Sequence, residues 1–366
     1  MSAQDTSYAR KVIRFLTSEK CYGRGYIKNG QNIAANYITE ELKKQQVVSF
    51  FPTSYFQPFK FNVNTFPGKV SVKINKRLLV PGVDYILNPE SAGLKGKFDL
   101  KKKDSVTYLN DDKSTPLKIS LKRKLTFSVA GEIAPYCAIQ LLNKNNYGDI
   151  KTAEVNISSK LIIGFQSKNI CGFINGTENN DSLIVFSAHY DHLGGLGKKT
   201  FFPGANDNAS GVSVLLNLAA YYRQNPPRYK TLFIFFAGEE AGLIGSHFFV
   251  DSKAVDLKKI KFLVNLDLLG TGDDGIMVVN GAIHEKQFAL LNQVNSEQQL
   301  VKEIKKRGKA QNSDHYWFSE AGVPCFFIYT LGGVASYHDV FDIEKTLPLT
   351  DYTDVCRLII GFTKRL

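Results

Sequence analysis

Leu183-Ile184-Val185-Phe186-Ser187-Ala188-His189-Tyr190-Asp191-His192 is an apolar run of strand length that ends in imidazoles and a carboxylate. A short, continuous apolar run reads as a strand buried on both faces. Four more such runs occur at 161–165, 231–237, 261–266 and 323–329. Helical spacing fills several of the gaps, as in 209–223 and 242–250. Strands alternating with helices imply an α/β fold with a largely parallel sheet covered on both faces. In such sheets the ligand site lies at the carboxyl ends of the strands.

Two amphipathic helices are expected near the N-terminus. Tyr8, Val12, Phe15 and Leu16 recur at helical spacing in the first, and Ile33, Ala34, Tyr37, Ile38 and Leu42 in the second. Gly23-Arg24-Gly25 reads as the linker between them. Residues 47–59 turn β-like. Between 61 and 150, short alternating stretches such as Val70-Ser71-Val72-Lys73-Ile74 are separated by Pro-Gly and Asn-Pro turns. The expected organisation is one catalytic unit, 1–60 with 151–366, carrying a β-rich insertion over 61–150.

Composition narrows the class. With 366 residues, 43% hydrophobic and 22% charged, the chain fits an ordinary globular protein. No apolar run approaches the ~18 residues of a membrane span. The net charge of +12 sits partly in runs at 101–103, 122–124 and 305–307. None is interleaved with aromatics as a nucleic-acid platform would be, so a nucleic-acid partner is not expected. The five cysteines are scattered and form no C-x-x-C pair, which argues against zinc ribbons and thioredoxin-like chemistry. Met1-Ser2-Ala3-Gln4-Asp5 holds no hydrophobic signal segment. Small residues followed by Gln-Asp read as the tail of a cleaved bacterial signal peptide, hence a periplasmic or secreted protein. The alternative is a cytoplasmic protein with a short polar start.

Five strand ends or following loops carry candidate chemistry. Asp191, two residues past His189, could accept the second ring N–H and so fix the tautomer of a metal-ligating His189. Asp207, in Gly204-Ala205-Asn206-Asp207-Asn208-Ala209-Ser210-Gly211, lies where loop gives way to an apolar helix. It is either a ligand or, with Asn208 as the other candidate, an N-cap. Glu239 and Glu240 emerge from Phe235-Phe236-Ala237-Gly238, where an unpaired buried charge would be costly. Neighbouring side chains face different ways, so one can ligate while the other acts as a base. Asp267 ends the run Val264-Asn265-Leu266, and His338 follows the strand Phe326-Phe327-Ile328-Tyr329. Imidazole and carboxylate together suit zinc, with manganese or cobalt as alternatives. His192 reads as a supporting or solvated residue, and His247 and His284 as structural. His284-Glu285 does not continue into H-E-x-x-H, and no G-x-S-x-G elbow occurs.

In order and context these motifs resemble the co-catalytic zinc exopeptidases, the family of bacterial leucyl aminopeptidases, glutamate carboxypeptidase and the glutaminyl cyclases. The match runs through ordered motifs over roughly 160–350 and, more weakly, Gly23-Arg24-Gly25. It implies a three-layer α/β/α sandwich and two zinc ions bridged by Asp207. His189 and Asp267 would complete one site, Glu240 and His338 the other. Glu239 would be the general base, with Asp191, Ser313 and Asp342 in support. His315, in Ser313-Asp314-His315-Tyr316-Trp317-Phe318, would line the site. Peptides with a free N-terminus are the implied substrates. Glutaminyl cyclases typically carry an Asp pair before that His and a Trp before the last ligand. Ser313 and Tyr337 stand at those places, which favours a peptidase. A carboxypeptidase would need a cation for the substrate carboxylate, for which Arg307 is a candidate. A non-catalytic binding protein would be expected to have lost ligands, and all five are present.

Overall fold

A nine-stranded sheet forms the centre of the protein. Its inner strands Lys230–Phe236, Leu183–His189, Ile260–Leu266 and Cys325–Thr330 run parallel. Antiparallel strands flank them: Lys160–Ile174 beside Lys230–Phe236, and Ile276–Val279 beside Cys325–Thr330. This is the computed structural model of the chain, and it describes residues 6–366 except 113, 115, 145, 146 and 179. The Met1–Asp5 start, on which the signal-peptide reading rests, lies outside the described residues.

Alternation along the strands builds three layers. Ile184, Phe186 and Ala188 point into one core, Leu183 and Val185 into another. Phe233 and Phe235 join the first, and Leu232, Ile234 and Phe236 the second. Period-two alternation thus sends apolar side chains to both faces, which is why the strands read as unbroken hydrophobic runs. Helices Thr6–Leu16, Gly30–Lys44, Gly211–Gln224, Glu285–Gln298 and Tyr352–Thr363 cover the first face. Helices Ile244–Asp251 and His315–Glu320 contribute Phe249 and Phe318 to the second. The first helix buries Ala9, Val12, Ile13 and Leu16, and its Phe15 stacks on Tyr37 of the next helix with ring centres 4.0 Å apart.

The β-rich segment has its own core, including Val72, Tyr85, Ile119, Ile139 and Val155. It comprises a five-stranded and a four-stranded sheet. Strand pairing moves both expected edges of the insertion. Phe56–Thr65 pairs with Lys160–Ile174 in the large sheet, whereas Thr152–Ile157 pairs with Val70–Ile74 and Leu94–Asp99 in a small one. The reason is geometric: the chain leaves and re-enters through neighbouring antiparallel strands, and texture alone does not reveal where that pairing stops. Leu193, Leu196 and Phe202, which lie between large-sheet elements, also belong to the core of the β-rich segment. All five cysteines are buried and unpaired. Among the described residues, no helix is long and apolar enough to cross a membrane.

Candidate metal centre

The parallel strands end level with one another, and the site forms there. His189 closes its strand opposite Phe236. Asp267 directly follows Leu266, and Glu239 and Glu240 follow Phe236 after a turn at Gly238 with φ +69°. Asp207 sits in the turn Ala205–Ser210, ahead of the helix Gly211–Gln224, and its peptide bond to Asn208 is cis. Neither Asp207 nor Asn208 occupies the capping position, which is Ser210, but Asn208 braces the turn ahead of the helix. Its Oδ1 accepts the Gly211 N–H at 2.9 Å, while its amide donates to the Leu266 carbonyl at 2.9 Å. Asp207 is thereby free to face the site.

Two imidazoles flank Asp207. His189 Nε2 is 3.4 Å from Asp207 Oδ1 and 3.4 Å from Asp267 Oδ2. His338 Nε2 is 3.1 Å from Asp207 Oδ2 and 3.1 Å from Glu240 Oε2. Each ring has its other nitrogen on a backbone carbonyl: His189 Nδ1 on Asp191 at 3.2 Å, His338 Nδ1 on Phe127 at 2.9 Å. This corrects the expected role of Asp191, whose carboxylate is 3.8 Å from His189 Nδ1 while its carbonyl makes the closer contact. The Asp191 carboxylate accepts instead from the Tyr26 hydroxyl at 3.1 Å and the Glu239 N–H at 3.2 Å.

The supporting residues form a second layer. Ser313 donates to Asp267 Oδ2 at 3.2 Å and accepts from Asn265 at 2.8 Å, and Asn265 accepts from Ser187 at 2.7 Å. Asp342 accepts the backbone N–H groups of Asn206 at 2.8 Å and Asp207 at 3.0 Å. His192 is not solvated: it is buried, with Nδ1 2.6 Å from Glu240 Oε1. His315 does not line the cleft. It is buried with its ring 5.2 Å from that of Phe327, and burial pushes its pKa down to about 4. The start of a helix on the far face of the sheet turns it inward, which the motif gave no means of seeing.

Electrostatics separates the two adjacent glutamates. Burial, then the negative charges of Glu240, Asp314 and Asp267, hold Glu239 well above the usual carboxylate range against the pull of His189. Burial and Asp207 also disfavour charge on Glu240, but His338 and His192 outweigh them and bring it to about 2. Burial opposes the charge of His338, and Glu240 and Asp207 push its pKa up to about 11 nonetheless. Glu239 lines a cleft of about 180 Å³ with His189, Asp207, Asp267 and His338, walled by Phe327, Tyr329, Tyr337, Leu268 and Asn312. Glu240 turns away from it, toward His192 and His338.

Sequence reading missed several residues. Asp314 is fully buried, and burial raises it to about 7. Its motif assigned it no role of its own, and only its place beside Ser313 could have flagged it. Arg24 is no linker residue. At 0% exposure its guanidinium donates to the carbonyls of Tyr190, Leu16, Pro203, Gly204 and Asp207 at 2.7–3.1 Å. Arg307, unplaced by sequence, donates to the Tyr329 hydroxyl at 3.1 Å and so stands one bond from the cleft wall.

The donor set fits divalent cations. The groups His189–Asp207–Asp267, His192–Asp207–Glu240 and His189–Glu239–Glu240 each bring ligand atoms within 4.8 Å of one another. Asp267 Oδ1 and His192 Nε2 are buried without a hydrogen-bond partner. Buried carboxylates at this density need positive charge. The carbonyl on each Nδ1 leaves Nε2 of His189 and of His338 as the lone-pair nitrogen, the arrangement usual for histidine ligands.

The comparisons agree with this architecture. A family model described as Peptidase family M28 matches residues 169–363. Aminopeptidase YwaD of Bacillus subtilis is 30% identical over 175 residues, covering 46% of this chain and 37% of its own length. The chain thus spans about a third of that relative. Among solved structures, a Peptidase M28 precursor from Shewanella amazonensis superposes with TM-score 0.76 at 13% identity, over 99% of this chain and 93% of that one. BSAP, a zinc aminopeptidase from Bacillus subtilis, gives 0.74 at 18%, over 99% and 95%. At those identities the likeness concerns the fold, while the family model reaches the site-bearing half. On that match, and with the fold and cluster just described, the chain belongs to Peptidase family M28.

Proposed function

We propose that the protein is a zinc-dependent aminopeptidase with a dinuclear centre, in which His189, Asp207 and Asp267 would hold one ion and Asp207, Glu240 and His338 the other. The observation that carries this reading is the splitting of Asp207: Oδ1 faces one carbonyl-anchored imidazole and Oδ2 the other. His192, whose Nδ1 is spent on Glu240, orients that carboxylate. Zinc is favoured by the mixed imidazole–carboxylate donors, with manganese or cobalt as substitutes. The likeness in fold to BSAP, a zinc aminopeptidase, points the same way.

Divalent cations held there would polarise the scissile carbonyl and lower the pKa of the attacking water. The remaining work falls to the chain. Glu239, facing the cleft, takes a proton from the attacking water and delivers it to the leaving nitrogen as the C–N bond breaks and the C–O bond forms. Asp267 is held in orientation by Ser313, and Asp207 by the Asp342 bonds to its turn. The acidic floor attracts a substrate α-amine, while Phe327, Tyr329 and Leu268 present an apolar wall to the first side chain. The same proposal includes a periplasmic or secreted setting, which buried, unpaired thiols tolerate because none meets the medium.

The test is a panel of peptides with free or acetylated N-termini and free or amidated C-termini. Release of the N-terminal residue from unblocked peptides is expected, with at least a hundredfold loss on acetylation, because the desolvated amine partners are left unpaired. Arg307 beside Tyr329 supports the second reading, a carboxypeptidase, which would tolerate acetylation and fail on C-terminal amides. Ring closure of N-terminal Gln with ammonia release would mark a cyclase. Equal cleavage of blocked and free N-termini would overturn the aminopeptidase assignment.

A further inference from the structure

The β-rich segment reaches into the metal centre at one residue. The Phe127 N–H donates to the His338 carbonyl at 2.9 Å, and the Phe127 carbonyl faces His338 Nδ1 at 2.9 Å. One residue of the segment thus grips both the backbone and the ring of His338. Nearby, Lys124 Nζ donates to the Ala335 carbonyl at 2.9 Å, and Val340 packs against the segment's core. Phe127 is itself anchored, its ring stacked on Phe202 with centres 4.7 Å apart and planes 6° from parallel.

His338 needs such help. It lies in a stretch without helix or strand between Thr330 and the short turn at Glu344. Its φ of +54° is a left-handed conformation that a non-glycine residue holds only when its surroundings impose it. The paired bonds from Phe127 supply that imposition. They also leave Nε2, which faces Asp207 and Glu240, as the nitrogen with the lone pair.

We propose that Phe127 is a positioning residue for the metal centre, and that the β-rich segment completes the site by setting the tautomer and aim of His338. The inference rests on His338 being a ligand. It can be tested by zinc affinity, measured on metal-free protein with a competing chromophoric chelator. Phe127→Ala keeps both backbone bonds but removes the ring stacked on Phe202 that fixes that backbone, and is expected to weaken the His338-dependent zinc by about 10-fold, the lower end of the cost of disturbing a partner behind a ligand. Phe127→Leu should recover most of it. Ile139→Ala removes a comparable side chain from the same core and should lower Tm while leaving zinc affinity within about twofold of the original. In a His338→Ala background, Phe127→Ala should change zinc affinity no further. Should either alanine variant fail to fold, Phe127→Leu and Ile139→Val repeat the comparison with smaller losses. Equal effects of Phe127→Ala with and without His338, or none in either background, would overturn the inference. If His338→Ala alone left zinc binding intact, the ligand assignment would fall first, and this inference with it.

Discussion

At the residue scale, the decisive distinction is between Glu239 and its neighbour. Glu240 is bonded to imidazoles and brought down to about 2, whereas Glu239 faces the cleft and holds its proton more tightly than an ordinary carboxylate. If Glu239 is the base, Glu239→Gln should lower kcat by roughly 10²–10⁴-fold, since proton transfer by a placed side chain contributes about that much. It should keep its zinc, as elemental analysis would show. Glu240→Gln should lose metal. The reverse pattern would exchange the two roles. Both glutamates were legible in the sequence because charge directly after an apolar strand is costly without a partner. Asp267 and His189 were legible for the same reason. Asp314, Tyr26 and Asn312 were not, because an Asp before a helix, a Tyr after a Gly and an Asn in a loop are ordinary surface residues until tertiary contacts bury them. Asp191 was found for the right ring and the wrong atom. Spacing brings a residue near an imidazole but does not decide whether its carbonyl or its carboxylate turns toward it.

At the scale of elements, the strand ends supply the ligands and the connections aim them. The apolar runs at 182–188, 231–237 and 261–266 appear as strands 183–189, 230–236 and 260–266, because strands buried on both faces leave little choice of residue. The insertion edges were less legible, since pairing across the sheet rather than local pattern sets them. Gly23-Arg24-Gly25 shows the limit most clearly. A Gly-Arg-Gly stretch looks like a flexible linker, yet a Cβ on Gly23 would come within 2.3 Å of the Gly194 carbonyl oxygen, at a φ of +68°. That close approach lets Arg24 enter the interior and use all five of its N–H donors on carbonyls from three segments: the end of the first helix at Leu16, Tyr190, and the stretch 203–207. Among those carbonyls, Tyr190 follows His189 directly, and Gly204 and Asp207 belong to the turn of the bridging aspartate. Arg24→Lys keeps the charge but offers only three donors. At least two buried carbonyls then lack a partner, at about 1–3 kcal/mol each. A loss of roughly 3 kcal/mol in denaturant unfolding is expected, with weaker zinc retention. A loss below about 1 kcal/mol would mean that water replaces the missing bonds and that the clamp matters little.

For the whole molecule, the site is an acidic island in a basic protein. The chain carries +12 overall, yet Asp191, Asp207, Glu239, Glu240, Asp267 and Asp314 converge behind one small cleft. Without metal, imidazoles and Arg24 nearby balance this cluster. Folding therefore concentrates like charges that the unfolded chain would hold apart, and the opposing energy must come from the two large cores and from bound cations. A cation that binds the folded chain and not the unfolded one stabilises it by about 4 kcal/mol when present at a thousand times its Kd. On a chain of this length that corresponds to a rise in Tm of roughly 5–10 °C. Chelation followed by buffer exchange should lower Tm by about that amount. Stoichiometric zinc should restore it, and magnesium should not, because magnesium disfavours imidazole donors. Calorimetry with and without zinc checks this directly. A Tm indifferent to chelation and to added zinc would mean that the carboxylates are accommodated by proton sharing with the histidines alone, and that the cluster was not built around metal.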